Sequence, residues 1–337
     1  MLVTINDIGD GNYIRICDYW KRFGCIIDYG SINCSRYFKK NMLPFPDSID
    51  FDLLISHYHT DHYNGLCYIP DDSISVNKLF YPWIPKFSQK TQLIKQILFT
   101  NYIILGSQTG SPAKDLVDLL SIKNQTSFHH QALKQGDEIT ICGQTFYVVW
   151  PPYEIQDNDN NLAKGIEEID KLIKENDELN ELWENLDRNS NELFCNADLR
   201  PKDKTCKTVD NKYELKCNKS SIENLSKKLR SIKNRFSICL YHPEEFLFLG
   251  DLEEYEINHC IEYLKKSFRL NHVETLITPH HGTHWGEKLI DIYAKNIISS
   301  NGEQRIQKYV EDYKLIGENI YSTFQNGTLN FFMTELV

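Results

Sequence analysis

The sequence predicts an α/β fold carrying a charged, largely helical insertion. Three observations lead there. Short apolar runs that read as strands recur along the 337 residues, separated by stretches with helical spacing. Two of these runs stop at histidine clusters, in residues 56–65 and 279–286. Between the clusters, residues 154–233 change character: first acidic, then lysine-rich and poor in aliphatic side chains.

Residues 2–6 and 12–18 alternate as strands do, and Ile8-Gly9-Asp10-Gly11-Asn12 between them suits a hairpin turn. Gly24-Cys25-Ile26-Ile27-Asp28-Tyr29-Gly30 reads as a buried strand ending in a polar turn. Asp28 is expected to brace the neighbouring loop rather than touch a metal, because ligand histidines donate their second N–H to a carboxylate or carbonyl. Phe51-Asp52-Leu53-Leu54-Ile55 is a second buried strand, and Lys78-Leu79-Phe80-Tyr81 a third. Residues 88–100 place Leu93, Ile94, Ile97 and Leu98 at helical spacing. Residues 137–141 and 145–150 read as paired strands across Gly143-Gln144, followed by Pro151-Pro152.

In the insertion, residues 165–186 and 221–233 read as amphipathic helices. The segment is either a solvated excursion or a lid over a cleft, and its lysines in 200–219 either meet an anion or are simply solvated. Strand patterns resume at 234–241 and 245–249, the latter ending in Gly250-Asp251. A helix over 255–264 and a strand over 273–278 follow. Residues 319–323 and 328–332 are expected to close the chain as a hairpin over Gln325-Asn326-Gly327. The expected division is 1–153, the insertion 154–233, and 234–337.

The chemistry-bearing stretch is Ser56-His57-Tyr58-His59-Thr60-Asp61-His62. His57 and His59 are two apart, so in extended chain they point the same way, and Asp61 and His62 swing round on the turn. Neutral imidazoles with a carboxylate suit zinc, manganese or iron. The plain alternative, a polar loop with accidental histidines, fits this spacing after an apolar strand poorly. The second cluster is Pro279-His280-His281-Gly282-Thr283-His284. His129-His130 are adjacent, so in a strand they face opposite sides and are expected to be structural or surface residues.

His-x-His-x-Asp-His resembles the signature of the metallo-β-lactamase fold hydrolases. The opening turn, Ile27-Asp28-Tyr29-Gly30, residues 234–237 and 248–253, and Pro-His-His-Gly followed by a hydroxyl residue narrow the likeness. They resemble the branch that holds the hydrolase domain of ComEC-type competence proteins and its soluble relatives. The likeness covers residues 2–333 apart from the insertion. It implies a four-layer αββα sandwich whose two halves are 1–153 and 234–337. It implies two zinc ions, with manganese or iron as alternatives. His57 and His59 would hold the first ion, Asp61, His62 and His280 the second, and Asp251 would bridge them. His281 is the alternative ligand, or a proton donor facing substrate; the alternative role for Asp61 is to orient the nucleophile, and His284 is expected at the rim. The implied reaction is hydrolysis by a metal-bound hydroxide, most readily of a phosphodiester in a nucleic acid or nucleotide. An ester, lactone or amide, or a non-catalytic metal-binding regulatory module, are the alternatives. The chain departs from most relatives in having no histidine between 131 and 241, where a further ligand normally follows a strand. The first ion site is therefore expected to be the weaker, completed by water, substrate, Tyr153 or Glu154.

A formal charge of −10 argues against a broad nucleic-acid-coating surface but not against a local basic groove. It suits a small anionic substrate or a strand end. The ten cysteines form no Cys-x-x-Cys pair and are expected to be reduced thiols of a cytoplasmic protein. No run of about 20 apolar residues exists to span a membrane, so no membrane association is expected.

Overall fold

The computed structural model describes residues 1–18, 20, 23–38, 50–109, 116–155, 160–190, 219–305 and 308–333. The strands are β1 (Leu2–Ile5), β2 (Gly11–Cys17), β3 (Phe23–Ser31), β4 (Asp50–Leu54), β5 (Val76–Pro82), β6 (His129–Leu133), β7 (Glu138–Ile141), β8 (Gln144–Trp150), β9 (Cys239–His242), β10 (Phe246–Phe248), β11 (His272–Ile277), β12 (Tyr293–Ser299), β13 (Gly317–Ser322) and β14 (Leu329–Phe332). The helices are α1 (Cys34–Tyr37), α2 (Lys90–Thr109), α3 (Leu116–Lys123), α4 (Asn160–Lys174), α5 (Asp177–Ser190), α6 (Lys219–Asn234), α7 (Glu254–Phe268), α8 (Val310–Tyr313) and α9 (Thr323–Asn326).

Two seven-stranded mixed sheets result, ordered β14-β1-β2-β3-β4-β5-β6 and β13-β12-β11-β10-β9-β8-β7. Their pairing runs alike. β14 through β3 pair antiparallel and β3 through β6 parallel. β7 through β10 pair antiparallel and β10 through β13 parallel. β3 and β4 in one sheet thus correspond to β10 and β11 in the other. All four run into the polar stretches singled out from sequence.

Side-chain alternation explains the layering. Leu54, Phe80, Phe146, Phe246, Phe248, Ile277 and Ile298 meet in the core between the sheets. On the outer face of the first sheet, Phe51, Leu53, Ile55 and Leu79 pack with Leu116, Leu119 and Leu120 of α3. On the outer face of the second, Leu247, Leu276 and Ile297 pack with Ile257, Cys260, Ile261 and Leu264. Those four sit at i, i+3, i+4 and i+7 of α7, one helical face. A helix layer therefore covers each sheet, an α/β sandwich. β4 and β11, interior parallel strands, become apolar and buried towards their carboxyl ends, at Leu53-Leu54 and Leu276-Ile277.

The expected terminal hairpin does not form. β13 pairs with β12 in the second sheet, whereas β14 pairs with β1 in the first, so the chain crosses between sheets through α9. The Asn326-Gly327 turn signal is satisfied locally: Gly327 has φ +73 and its N–H bonds Thr323 O. Strand partnership is set elsewhere, by the open edge that β1 offers. The helix expected over 165–186 is two helices, α4 and α5. Asn176 ends the first run, and its Oδ1 accepts the N–H of Leu179 (3.0 Å), an N-cap for α5. α3 had no counterpart in the sequence reading.

The described part of the insertion is not a solvated excursion. Leu162, Ile166, Ile169, Ile173, Leu179, Leu225, Leu229 and Ile232 bury themselves against Ile84, Leu93, Ile97 and Phe99 of the first half. The lysine-rich run of 200–218 lies outside the described residues. Among the described residues no helix is long and apolar enough to cross a membrane.

Candidate metal centre

The centre forms where β4, β10 and β11 end, at carboxyl ends of parallel strands, the usual location of sites in open α/β sheets. The two sheets are tied together at this point. Ser56, just past β4, accepts the N–H of Ile238 from the segment leading into β9 (2.7 Å).

Asp251 stands in the middle. Its Oδ2 lies 3.5 Å from Nε2 of His281, 3.6 Å from Nε2 of His62, and 3.7 Å from Nε2 of both His57 and His280. Gly250 delivers it: φ is +55 there, and a Cβ would lie 2.8 Å from Ser237 Cβ, so the turn excludes any side chain. His57 Nε2 also meets His59 Nδ1 at 2.8 Å. Donor atoms of His57, His62 and Asp251 lie within 4.8 Å of one another, as do those of Asp61, His62 and His281. The structure therefore groups His281 with Asp61 and His62. His280 sits outside both groups, its ring stacked on His284 at 4.2 Å, although its Nε2 also faces Asp251.

The second cluster is swung inward by an unusual turn. His280 (φ 47) and His281 (φ 61) are consecutive non-glycine residues in the left-handed region, followed by Gly282. Such residues cost about 1–3 kcal/mol each and persist where surroundings fix them. His281 Nδ1 is fixed by Ser300 O at 2.6 Å, which aims Nε2 at Asp251.

Asp28 lies behind the first loop, also left-handed (φ 59). It accepts from Ser56 N (2.7 Å), Ser56 Oγ (2.6 Å), Asn12 Nδ2 (2.9 Å) and the Nδ1 of His62 (2.7 Å). It acts on the centre through His62, bracing the loop as expected from sequence, and fixes the ring orientation that leaves Nε2 facing Asp251. Asp28→Asn is expected to weaken zinc affinity by about 10–100-fold, measured by chelator competition. Unchanged affinity would remove Asp28 from the centre's support.

Charge is distributed unevenly. Burial holds the imidazoles of His57 and His59 well below the ordinary histidine range, and brings His280 down to about 3. Burial also opposes a charged His62, but the carboxylates of Asp28 and Asp251 outweigh it and hold the imidazole in its charged form. Asp251 and Asp61 remain ionised despite burial. Surrounding imidazoles do this for Asp251; the Arg305 guanidinium, then His62 and His59, do it for Asp61.

Two cations reach the centre that sequence reasoning missed. Arg305 Nη2 pairs with Asp61 Oδ2 at 2.9 Å. Lys233, the penultimate residue of α6, is 3 % exposed, and burial brings its ammonium down to about 7 while Asp61 pulls it up. The insertion thus ends inside the centre. Neither residue lies in a motif; only the fold brings them to Asp61.

The residues fit a divalent cation. Nε2 of His59, His62 and His281 and Oδ2 of Asp251 are buried with no hydrogen-bond partner among the described residues. Buried polar atoms are normally satisfied, so a convergent set of orphaned donor atoms asks for an occupant. Tyr153 and Glu154 do not turn inward. Tyr153 is exposed and stacks on Trp83 (5.9 Å), and Glu154 is exposed. His130 meets the hydroxyl of Tyr81 (3.1 Å), away from the cluster residues. No protein-family profile matches the chain, and no curated protein matches it.

Proposed function

We propose that the chain is a metal-dependent hydrolase of metallo-β-lactamase fold that acts on a phosphodiester of a nucleic acid or nucleotide. The reading is carried by one observation: a buried carboxylate oxygen lies 3.5–3.7 Å from four imidazole nitrogens. Zinc suits these donors. His57, His59 and Asp251 would hold one ion, and Asp61, His62, His281 and Asp251 a second. His281 takes the place expected for His280 because its Nε2, not that of His280, groups with Asp61 and His62. A bound ion would lower the pKa of a water and neutralise charge developing on a phosphoryl oxygen.

The chain's own residues do the rest. Asp28 and the carbonyl of Ser300 orient His62 and His281. Asp61 keeps one oxygen on Arg305, leaving the other for the centre. Arg305 and Lys233 place positive charge beside it, which favours an anionic substrate over a neutral ester or lactone. Nearby, Tyr58 bonds Pro82 O (2.7 Å), next to a stacked Trp83–Tyr153 pair. Lys90 lies over the Trp83 ring (3.7 Å) and Lys86 over Tyr153 (4.4 Å). Lysines beside an exposed Tyr153 and a half-buried Trp83 are in keeping with a strand-binding surface.

The test is turnover of bis-p-nitrophenyl phosphate with zinc, then manganese, beside Asp61→Ala. The expected result is metal-dependent turnover that falls on the order of 10²-fold or more in the variant. No turnover with either metal, in folded and metal-loaded protein, would exclude the phosphodiester reading and turn attention to ester substrates or a non-catalytic role.

A further inference from the structure

We propose that Arg305 is the anion-binding residue of this centre, holding Asp61 through Nη2 and offering Nη1 to a non-bridging oxygen of the substrate phosphoryl group. The substrate named here rests on the phosphodiester reading; the anion subsite itself does not.

The argument begins with Asp10, in the turn between β1 and β2. It is 1 % exposed, and its carboxylate is spent on the loop after β12. It accepts the backbone N–H groups of Gly302 (3.1 Å), Gln304 (3.0 Å) and Arg305 (2.8 Å). Gly302 permits this approach, since a Cβ there would lie 2.5 Å from Asp10 N. Asn301 adds a bond from its Nδ2 to Arg305 O (3.0 Å), and its own Oδ1 is held by Ser322 (2.6 Å). A buried carboxylate, an amide and a hydroxyl thus fix the backbone from which Arg305 departs. Such a site is built on a rigid support, as precise recognition requires.

The side chain is used only in part. Nη2 pairs with Asp61 Oδ2 at 2.9 Å, whereas Nη1 is buried and has no hydrogen-bond partner among the described residues. Guanidinium is a fork of donors suited to two oxygens at once, and a buried donor left unmade is costly. Asp61 occupies one tine; the other has no partner among the described residues. Arg305 acts electrostatically on Asp61, His280 and His284, while Lys233 acts on Asp61 and His59. Arg305 pairs with Asp61 directly, while Lys233, whose ammonium burial brings down to about 7, acts on it only electrostatically. A phosphoryl oxygen would bring to the unmade N–H of the fork the negative charge that suits a guanidinium, which a neutral carbonyl oxygen does not.

The test is calorimetric binding of inorganic phosphate to zinc-loaded wild type, Arg305→Lys and Arg305→Ala, with zinc content measured in each. Phosphate affinity is expected to fall about 10–100-fold in Arg305→Ala, and by less in Arg305→Lys, which keeps the charge but not the fork. Zinc content in Arg305→Lys is expected to match wild type. Phosphate binding within about twofold of wild type in both variants would overturn the proposal; so would a wild type that binds no phosphate. Loss of zinc from both variants would overturn it too, by making Arg305 only a support for Asp61. Turnover separates this from the wider reading. Active wild type with arginine-independent phosphate binding ends the Arg305 assignment alone. Arginine-dependent phosphate binding without diester turnover ends the reaction and keeps the subsite.

Discussion

On the proposed reading, Asp251→Asn is expected to leave the fold in place, strip the protein of its metal and lower phosphodiester turnover on the order of 10³-fold. The reason is position. Most other donors in the centre have a second anchor: His57 on Ser56 Oγ, His62 on Asp28, His280 on Asn234, His281 on Ser300 O, Asp61 on Arg305. Asp251 Oδ2 is the atom that four of them share. An amide has nearly the same shape and hydrogen-bonding reach but no charge. It also points N–H groups or a weak acceptor at the same Nε2 atoms, and it cannot join two cations. Because Gly250 and the β10 backbone set the turn, the substitution should not move the chain. Zinc content by mass spectrometry and far-ultraviolet circular dichroism check the two halves of this claim. Glu254→Gln, exposed at the start of α7, is the matched control, with the same loss of charge three residues away. If Asp251→Asn keeps its zinc and stays within about tenfold of wild-type turnover, Asp251 is not the shared ligand.

What could be read from sequence and what could not divide along a physical line. His57, His59, Asp61, His62 and Asp251 were legible because strand ends dictate their placement: an apolar run stops, and the next side chains face the cleft. Asp28 was legible for the same reason. The choice between His280 and His281 was not. It depends on two successive left-handed residues, and nothing local in Pro279-His280-His281-Gly282 reveals which imidazole groups with Asp61 and His62. Arg305 and Lys233 were invisible in a stronger sense. One is placed by Asp10, some 295 positions away in sequence, and the other by the packing of α6 on α2 and α4. The terminal strands failed for a related reason. Alternation and an Asn-Gly turn specify two strands, but the partner of each is chosen by the open edges of two different sheets. The matched pairing order of those sheets was likewise hidden, since Asp28 and Asp251 occupy corresponding strand ends yet have opposite duties, one bracing an imidazole and the other facing four.

The metal-free protein is expected to be most stable from about pH 7 upward and to lose stability steeply as acid is added. Burial depresses His57, His59 and His280 in the folded state. Below pH ~6.5 the unfolded chain binds protons at these three positions that the folded protein refuses. Each contributes a slope approaching 1.4 kcal/mol per pH unit. His62 has the opposite sign. Its raised value gives stability that is full below pH ~6.5 and declines as pH rises towards the folded value. Lys233 offsets this decline. Brought down to about 7 in the folded state, it leaves the unfolded chain holding the extra proton between there and pH ~10.4. The two slopes cancel above neutrality, and the profile should be flat there. On the acid side His62 is charged in both states and Asp61 and Asp251 titrate far lower, so none of these offsets the three imidazoles; burial also lowers His242 and His284, which adds to the loss, while the raised carboxyls of Asp52 and Glu256 oppose it. Urea midpoints in the presence of chelator should therefore correspond to a loss of roughly 3 kcal/mol between pH 6.5 and 5.5. His280→Gln should make the acid limb shallower, since it removes one of the depressed imidazoles. A level profile from pH 7.5 to 5.5 would mean that these imidazoles accept protons in place, and that the centre is far more open to water than its burial implies.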